Sequence, residues 1–439
     1  MRETRLTLPM PRKTYIVNNS LFTLTQVIAR LNIAQRFCAS VCLFSLPMGV
    51  LLYFNIEQIS EKIEFARTEL AGNQFQRPAV RLIKAVADYQ VALLTQQSSD
   101  LAAAKQEIDG LLHQLEEVNQ TLGARLGFTD LALRDAGLEN LRISAIRSKW
   151  DSFQRTSNGS ELKPAADQYE SLVSDLRSLI SHAGDTSNLT LDPEMDSYYL
   201  ADVTSVATAQ TLNRIGTARA MVEPLLKNGA LPVAAGTALT VFGAMLREAD
   251  FDRITGDLNT AIKENARSPR GQSPTLKASI EPAVAQYKAD VQGLMDLISA
   301  ARQGKAVSIE EFHQVSSRAS QASLELWEKT LSELDGVLAM RINGFTKYRL
   351  KILLGTSISL GLAMIILLLT VRGVTRPLTV AIAHVGYVSH GDLSRELPAS
   401  YLVRRDEIGT LARAMQEMSG RLREMIGEIS GDIGVLSSA

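Results

Sequence analysis

Two stretches of the chain contain no charged residue, whereas elsewhere apolar and polar positions recur with a helical period. Twenty uncharged residues follow Arg36, and another twenty follow Lys351. As helices they would each be about 30 Å long, which matches the hydrocarbon core of a bilayer. A buried core helix is the alternative, but neither stretch keeps a polar face. The pattern therefore predicts two transmembrane helices, over residues 33–56 and 351–371.

The segment between these stretches, residues 57–350, has apolar residues spaced three and four apart, as on one face of a helix. Strand-like alternation is not evident over six residues or more, so the predicted fold class is all-α. The segment is predicted to be a long extracytoplasmic helical bundle, with two stacked modules as the economical arrangement. Breaks at Pro, Gly and Ser predict helices near residues 56–75, 77–98, 100–122, 137–156, 161–183, 194–228, 231–267, 275–303 and 308–350.

The charges that flank the first stretch predict its orientation. Residues 1–36 carry six Lys or Arg residues and one acidic residue, and such an excess of positive charge keeps a segment in the cytoplasm. Three basic residues just outside the second span oppose this orientation, but the first span usually dominates. We therefore expect a cytoplasmic extension over residues 1–32, a periplasmic segment over 57–350 and a cytoplasmic C-terminus. This topology predicts a multi-pass protein of the bacterial inner membrane, in contact with lipid.

The segment after the second span, residues 372–428, contains two amphipathic stretches joined by a polar connector. Pro377 opens the first stretch, and the connector begins at Gly391. A single helix cannot bury the apolar seam of the second stretch, so a partner helix and a homodimer are implied. The alternative is an ordinary surface helix packed on its own domain. The seam steps by three and four through Ile408, Leu411, Met415, Met418, Leu422, Met425 and Ile429.

A Pro just after a span, a Gly-Asp-Leu connector and a helix with the pattern D-E-I-G-x-L-x-x-A-x-x-x-M resemble a HAMP linker. This resemblance implies a parallel four-helix bundle formed by two chains, which relays signals between a membrane span and an output domain. Met415 departs from the pattern at a position where an aromatic Phe is common, and we expect it to lie in the bundle core and to loosen it. The positions that carry the resemblance are Pro377, Gly391, Asp392, Leu393, Asp406, Glu407, Ile408, Gly409, Leu411, Ala414 and Met418.

Upstream segments resemble bacterial methyl-accepting chemotaxis receptors. The sequence LNIAQR before the first span resembles their entry to the membrane, and residues 57–78 and 191–202 resemble parts of helical sensor regions. Such receptors continue into a long cytoplasmic hairpin that is methylated and binds a kinase. This chain stops at Ala439, with residues 429–439 expected to begin a truncated coiled coil. The resemblance implies a kinase and an adaptor as partners of a full-length form.

Composition and motifs exclude several other classes. The net charge is −1, so no overall basic footprint indicates nucleic acid as a partner. Cys38 and Cys42 are too few for a disulfide framework, and no metalloprotease, nucleotide-binding or hydrolase motif occurs. We therefore predict no catalytic, cofactor or metal site and no enzyme activity. Surface positions on helices are predicted for the five histidines, His113, His182, His313, His384 and His390.

Of all the predicted features, the sequence gives the least information about ligand contacts in the exterior bundle. A bundle that senses small anions needs Arg between its helices, because a guanidinium binds a carboxylate through two hydrogen bonds. The simpler interpretation is surface charges and packing tyrosines. Candidate ligand contacts, chosen beside apolar helix positions or near an apparent helix start, are Arg77, Arg81, Tyr198, Tyr199, Arg214 and Arg219.

Three functions remain open from the sequence. The leading one is a chemoreceptor-type receptor, in which a small-molecule or protein stimulus outside shifts the last bundle helix, the second span and HAMP. The second is the sensor half of a histidine kinase or cyclase receptor, or a receptor without its own output domain. The third is a non-signalling membrane bundle protein, which would have no need of a HAMP pattern.

Overall fold

The structure is a computed structural model that describes residues 31–157, 162–227, 233–268, 272–303 and 305–437. Throughout these ranges the regular structure is helical and contains no strand. The all-α prediction is therefore confirmed. The helices are α1 Ile33–Thr95, α2 Ser98–Leu122, α3 Asp130–Asp135, α4 Ile143–Ser157, α5 Leu162–Thr186, α6 Met195–Asp202, α7 Thr208–Lys227, α8 Val233–Met245, α9 Arg253–Arg267, α10 Leu276–Arg302, α11 Ile309–Thr370, α12 Arg376–Ser389, α13 Ala399–Leu402 and α14 Glu407–Ser437.

Three pairs of these helices are joined by π-helical turns instead of loops. The turns are Val203–Ala207 between α6 and α7, Leu246–Asp252 between α8 and α9, and Val371–Thr375 between α11 and α12. A π-helical turn accommodates one residue more than the α-helix around it. Residues 195–227 and 233–267 are thus helical throughout, as predicted near 194–228 and 231–267, and the π-helical turn inside each helix was not predicted.

The predicted break near Pro78 is wrong, because α1 runs through both Pro47 and Pro78. Proline removes one backbone hydrogen bond and costs about 3 kcal/mol in a helix interior. Around Pro78 the helix is buried on several sides, with Phe75, Ala79 and Leu82 all at most 1% exposed. Burial of these apolar side chains offsets the lost hydrogen bond, and the helix continues.

The chain divides into two compact units. One is Gln58–Tyr348, called here the bundle unit, and the other comprises the described residues before and after it, called the terminal unit. The bundle unit contains two clusters of buried apolar side chains. The first includes Trp150, Phe153 and Trp327, and the second includes Tyr287 and Phe312, all fully buried. Helix α11 contributes to both clusters.

The terminal unit contains the two uncharged stretches as exposed helix. Within the described residues two helices are long and apolar enough to cross a membrane, one beginning at Ile33 and one at Ile309. Large apolar side chains in the uncharged windows face outward, such as Leu43 at 72% and Ile358 at 71% exposure. Lipid is the environment in which such surfaces are stable.

Candidate functional site

The segment after the second span forms two helices, α12 and α14, joined by a connector that contains the short helix α13. Pro377 lies in the first turn of α12, directly after the π-helical turn Val371–Thr375. Gly391 ends this helix with a φ of +83°, a backbone conformation that favours glycine. Its neighbour Asp392 accepts hydrogen bonds from the backbone and side chain of Ser394. These bonds lower the pKa of Asp392 and hold the start of the connector.

The end of the connector is fixed by a second set of bonds at the start of α14. Asp406 accepts a hydrogen bond from the backbone N–H of Gly409 at 3.1 Å and therefore caps the helix. Arg404 also donates to Asp406, and this bond is the largest cause that lowers the Asp406 pKa to about 2. A Cβ on Gly409 would lie 2.1 Å from the Arg404 carbonyl oxygen, so glycine permits this close approach. Glu407 lies exposed in the first helical turn.

The seam residues divide between two faces of α14. Met415 is buried beside Ala412 in a small core that also contains Leu397 of the connector. Leu411 is 42% exposed and Met418 is 43% exposed, with Ile408 half-buried. One chain therefore covers part of the predicted seam and leaves an apolar row on the other part. We call the exposed side chains of Leu411, Met418, Met425 and Ile429 the outer row.

Several contacts in this segment were not predicted from the sequence. Arg413 donates to the carbonyl oxygens of Leu402 and Arg404 at 3.0 Å and 2.6 Å, and thereby holds the connector against α14. His384 is 4% exposed and lies 3.2 Å from the Ser419 hydroxyl, so its predicted surface position is wrong. In the sequence an exposed arginine on an amphipathic helix cannot be distinguished from an ordinary surface charge, and a single histidine in such a helix is equally uninformative.

In the bundle unit, the four candidate arginines are paired with carboxylates of the same chain. Arg77 donates to Asp335, and Arg81 donates to Glu328 at 2.6 Å. Arg214 donates to buried Asp250 at 2.6 Å. Arg219 pairs with Asp88 and Glu223, while the rings of Tyr198 and Tyr199 contact each other edge to face, with centroids 5.3 Å apart. The structure does not bring the six candidates together in one site.

A buried ionic cluster that the sequence did not reveal surrounds Arg341 on α11. Its guanidinium donates to Asp192 at 3.1 Å, to Ser197, and to Glu69 at 3.4 Å. Asp192 also accepts from the backbone N–H of Glu194, so it orders the start of α6. Burial, followed by the nearby Asp192 charge, raises the pKa of Glu69 to about 9. Three helices meet at this cluster, which makes it a structural centre of the bundle unit.

A cavity of about 400 Å³ adjoins this cluster. Its wall combines Asp196, Asn265 and Arg341 with Phe345 and Tyr348 of α11. Asp196 already accepts bonds from the backbone N–H of Ser197 and the amide of Asn265, at 2.9 and 3.0 Å. Asp196, Asn265 and Arg341 therefore already have partners within the fold.

Comparisons with known proteins identify the relay segment. Residues 369–424 match the HAMP domain family, so the chain carries a HAMP domain and the predicted linker is confirmed. A part of the chain is also similar to the methyl-accepting chemotaxis protein McpK of Pseudomonas aeruginosa, with 41% identity over 70 residues. That match covers 16% of this chain and 11% of McpK. No solved structure matches the chain significantly.

These findings support a transmembrane signal transducer. A HAMP domain lies directly after an apolar helix long enough to cross a membrane, and the partial relative is a chemotaxis receptor. The same findings suggest an inner-membrane location and point to a non-enzymatic protein.

Proposed function

We propose that the protein is a transmembrane receptor of chemoreceptor type, which senses an extracytoplasmic stimulus with residues 57–350 and relays it through the second span to HAMP. The supporting observation is the continuity of α11, whose bounds Ile309–Thr370 include both bundle residues and all but the last residue of the second uncharged stretch. Both termini lie in the cytoplasm in this proposal. The chain acts as a homodimer in the inner membrane.

The proposed relay depends on a two-state element at the membrane exit. A stimulus in the bundle unit displaces α11, and the displacement passes along one helix to the turn at Val371–Thr375 and then to α12. HAMP then changes between two packings of its helices. Coupling between a stimulus and such a switch is typically about 1–3 kcal/mol, which bistable packing transmits from small displacements.

The outer row supports the homodimer. The side chains of this row, spaced seven, seven and four residues apart on α14, would face water if the chain were alone, at a cost in hydrophobic free energy. A second copy in parallel places the same row opposite itself and covers it. The alternative function, the sensor half of a histidine kinase or cyclase receptor, uses the same dimer and differs only in the output.

A chimera tests the proposal directly. Residues 1–428 would be fused in register to the signalling hairpin of a chemotaxis receptor, and kinase activity measured in membranes with adaptor and kinase present. We expect the chimera to activate the kinase and Glu407→Ala to change the activity, since Glu407 lies at the start of the α14 relay helix. Glu417→Ala, an exposed site in mid-helix, is the matched control. A chimera whose kinase activity is the same with Glu407→Ala as without it contradicts the proposal.

A further inference from the structure

A groove between α5 and the start of α7 is lined by polar side chains that the proposed relay does not use. One part is a cavity of about 250 Å³. Four of its residues lie on one face of α5, at spacings of three and four, and two more come from the π-helical turn and α7. These six polar residues are Ser174, Arg177, Ser178, Ser181, Ser205 and Gln210.

None of these six side chains makes a hydrogen bond or ion pair with another described residue. Other hydroxyls in the bundle unit bond back to their own helix, as Thr211 and Ser323 do at 2.9 and 2.7 Å. Ser205 is the sharpest case, because it is 4% exposed and its hydroxyl lacks a partner. A buried unpaired hydroxyl destabilises a fold, and native structures contain few. Its position in the cavity wall leaves this hydroxyl available to a molecule that enters the cavity.

The charge of the cavity wall indicates whether the ligand is an anion or a cation. Arg177 is the one ionisable side chain among the lining residues, and no carboxylate is among them. The nearby Asp175 faces elsewhere, where it accepts bonds from Asn140 and Lys149. A guanidinium, hydroxyls and an amide together offer many donors, and a group rich in acceptor oxygens is their complement.

The second part of the groove is a larger cavity of about 690 Å³, which shares Arg177 and Gln210 with the first. Its wall is mostly apolar and includes Met221 and Phe242. Arg214 also lines it, but its bond to buried Asp250 engages that charge. An apolar slot next to a donor-rich pocket suits a molecule with an anionic head and an apolar body.

We infer that this groove binds a small organic monoanion, with its oxygen-rich head beside Arg177 and Ser205 and its apolar body in the slot near Phe242. The inference rests on the proposed receptor function in one respect, because only a receptor would sense this ligand as its stimulus. The claim that the groove binds such an anion does not depend on that function.

The groove has a direct connection to α11. Ser205 lies in the π-helical turn Val203–Ala207, and the carbonyl of Thr204 in that turn accepts a hydrogen bond from the Trp327 indole at 2.9 Å. Trp327 is fully buried on α11, the helix that continues into the second span. A ligand that draws Ser205 into a hydrogen bond therefore acts on the turn that Trp327 holds.

Calorimetry with the full chain in lipid nanodiscs tests the binding site. The probes are benzoate, its neutral analogue benzamide, and acetate as a head without a body. We expect saturable benzoate binding, weaker acetate binding and none for benzamide. Arg177→Gln should weaken benzoate binding about tenfold or more, because a charge-assisted bond is lost. Arg134→Gln, another exposed arginine without an ion pair to a described residue, should not change it.

Ser205→Ala separates a binding role from a structural one. Without ligand this variant should unfold at the same temperature or higher, because an unpaired buried hydroxyl is removed, yet its benzoate affinity should fall. Equal affinity of Arg177→Gln and the parent chain, equal binding of benzamide and benzoate, or no saturable benzoate binding overturns the inference. Benzoate binding that leaves α14 cross-linking between the two chains unchanged supports the site and counts against the receptor function.

Discussion

Glu69 is a carboxyl group that folding removes from water and places beside Asp192 and Arg341. Its Oε2 accepts a long bond of 3.4 Å from Arg341, and its Oε1 is buried without a partner. Burial and the Asp192 charge favour the protonated form, which can donate to Asp192. The sequence did not predict this cluster, because its members lie far apart in the chain and each resembles an ordinary helix-surface charge.

The raised pKa of Glu69 makes stability depend on pH. The native group binds a proton up to about pH 9, whereas the unfolded group releases it near its ordinary value of 4.5. Between these values the native state holds more protons, so the free energy of unfolding should fall as pH rises. Glu69→Gln keeps the neutral form and should flatten this dependence, raising the midpoint of thermal unfolding at pH 8.

Circular dichroism melts of the full chain at pH 5, 7 and 9 measure the effect. Glu107→Gln, an exposed site on α2 without an ion pair to a described residue, is the control and should keep the slope of the parent chain. A Glu69→Gln variant with that same slope would show that Glu69 is ionised in the native bundle.

At the scale of elements, long helices were predictable and their interruptions were not. Periodicity predicts the helices of the bundle, and the absence of charge identifies the two stretches that enter the membrane. The π-helical turn Val203–Ala207 contains neither Gly nor Pro, so no local signal marks it. A tertiary contact accompanies it, the bond from Trp327 to the Thr204 carbonyl. The groove was not predicted for the same reason. Whether a hydroxyl has a hydrogen-bond partner depends on residues that are near it in space, and the sequence pattern does not show these.

Trp327→Phe tests this account of the turn. The substitution keeps an aromatic ring but leaves the buried Thr204 carbonyl without its donor, and we expect a loss of about 1–3 kcal/mol in stability. Trp150→Phe is the matched control, because the partner of that indole, Asp109, is half-buried and can bond to water. Hydrogen exchange of amides 203–208 should become faster in the first variant only. Equal changes in both would assign the effect to ring volume instead of the hydrogen bond.

At the scale of the whole molecule, the proposed function depends on membrane topology and on dimerisation. A reporter that is active only in the periplasm should be active when fused at Asn188 and inactive when fused at Ala439, because the basic N-terminal flank stays in the cytoplasm. Fluorescent fusions at the same two sites, which work only in the cytoplasm, should give the opposite result. Activity of the periplasmic reporter at Ala439 would refute the orientation.

The outer row leads to a separate prediction about the dimer. Core truncations of Leu to Ala cost about 2–5 kcal/mol at fully buried sites, and Leu411→Ala should fall at the lower end because a two-chain seam is less enclosed. It should weaken dimerisation, whereas Glu407→Ala should leave the dimer intact and bias the switch. Oxidative cross-linking of Met418→Cys in membranes measures the population of dimers. Cross-linking of Arg413→Cys instead of Met418→Cys would place the seam on the wrong face.

The π-helical turn Val371–Thr375 also sets the angular phase of everything that follows it. Successive α-helical residues are about 100° apart around the axis, so one additional residue rotates the face that α12 presents by about that angle. Deletion of Val374 should let the turn relax to α-helix and preserve the phase of α12. Within α12 no π-helical turn can take up the loss of a residue. Deletion of Ala383 should therefore turn the following residues away from their partners and abolish output. The turn thus contains one residue more than an α-helix would, and the loss of one residue there would leave the register between the second span and HAMP unchanged.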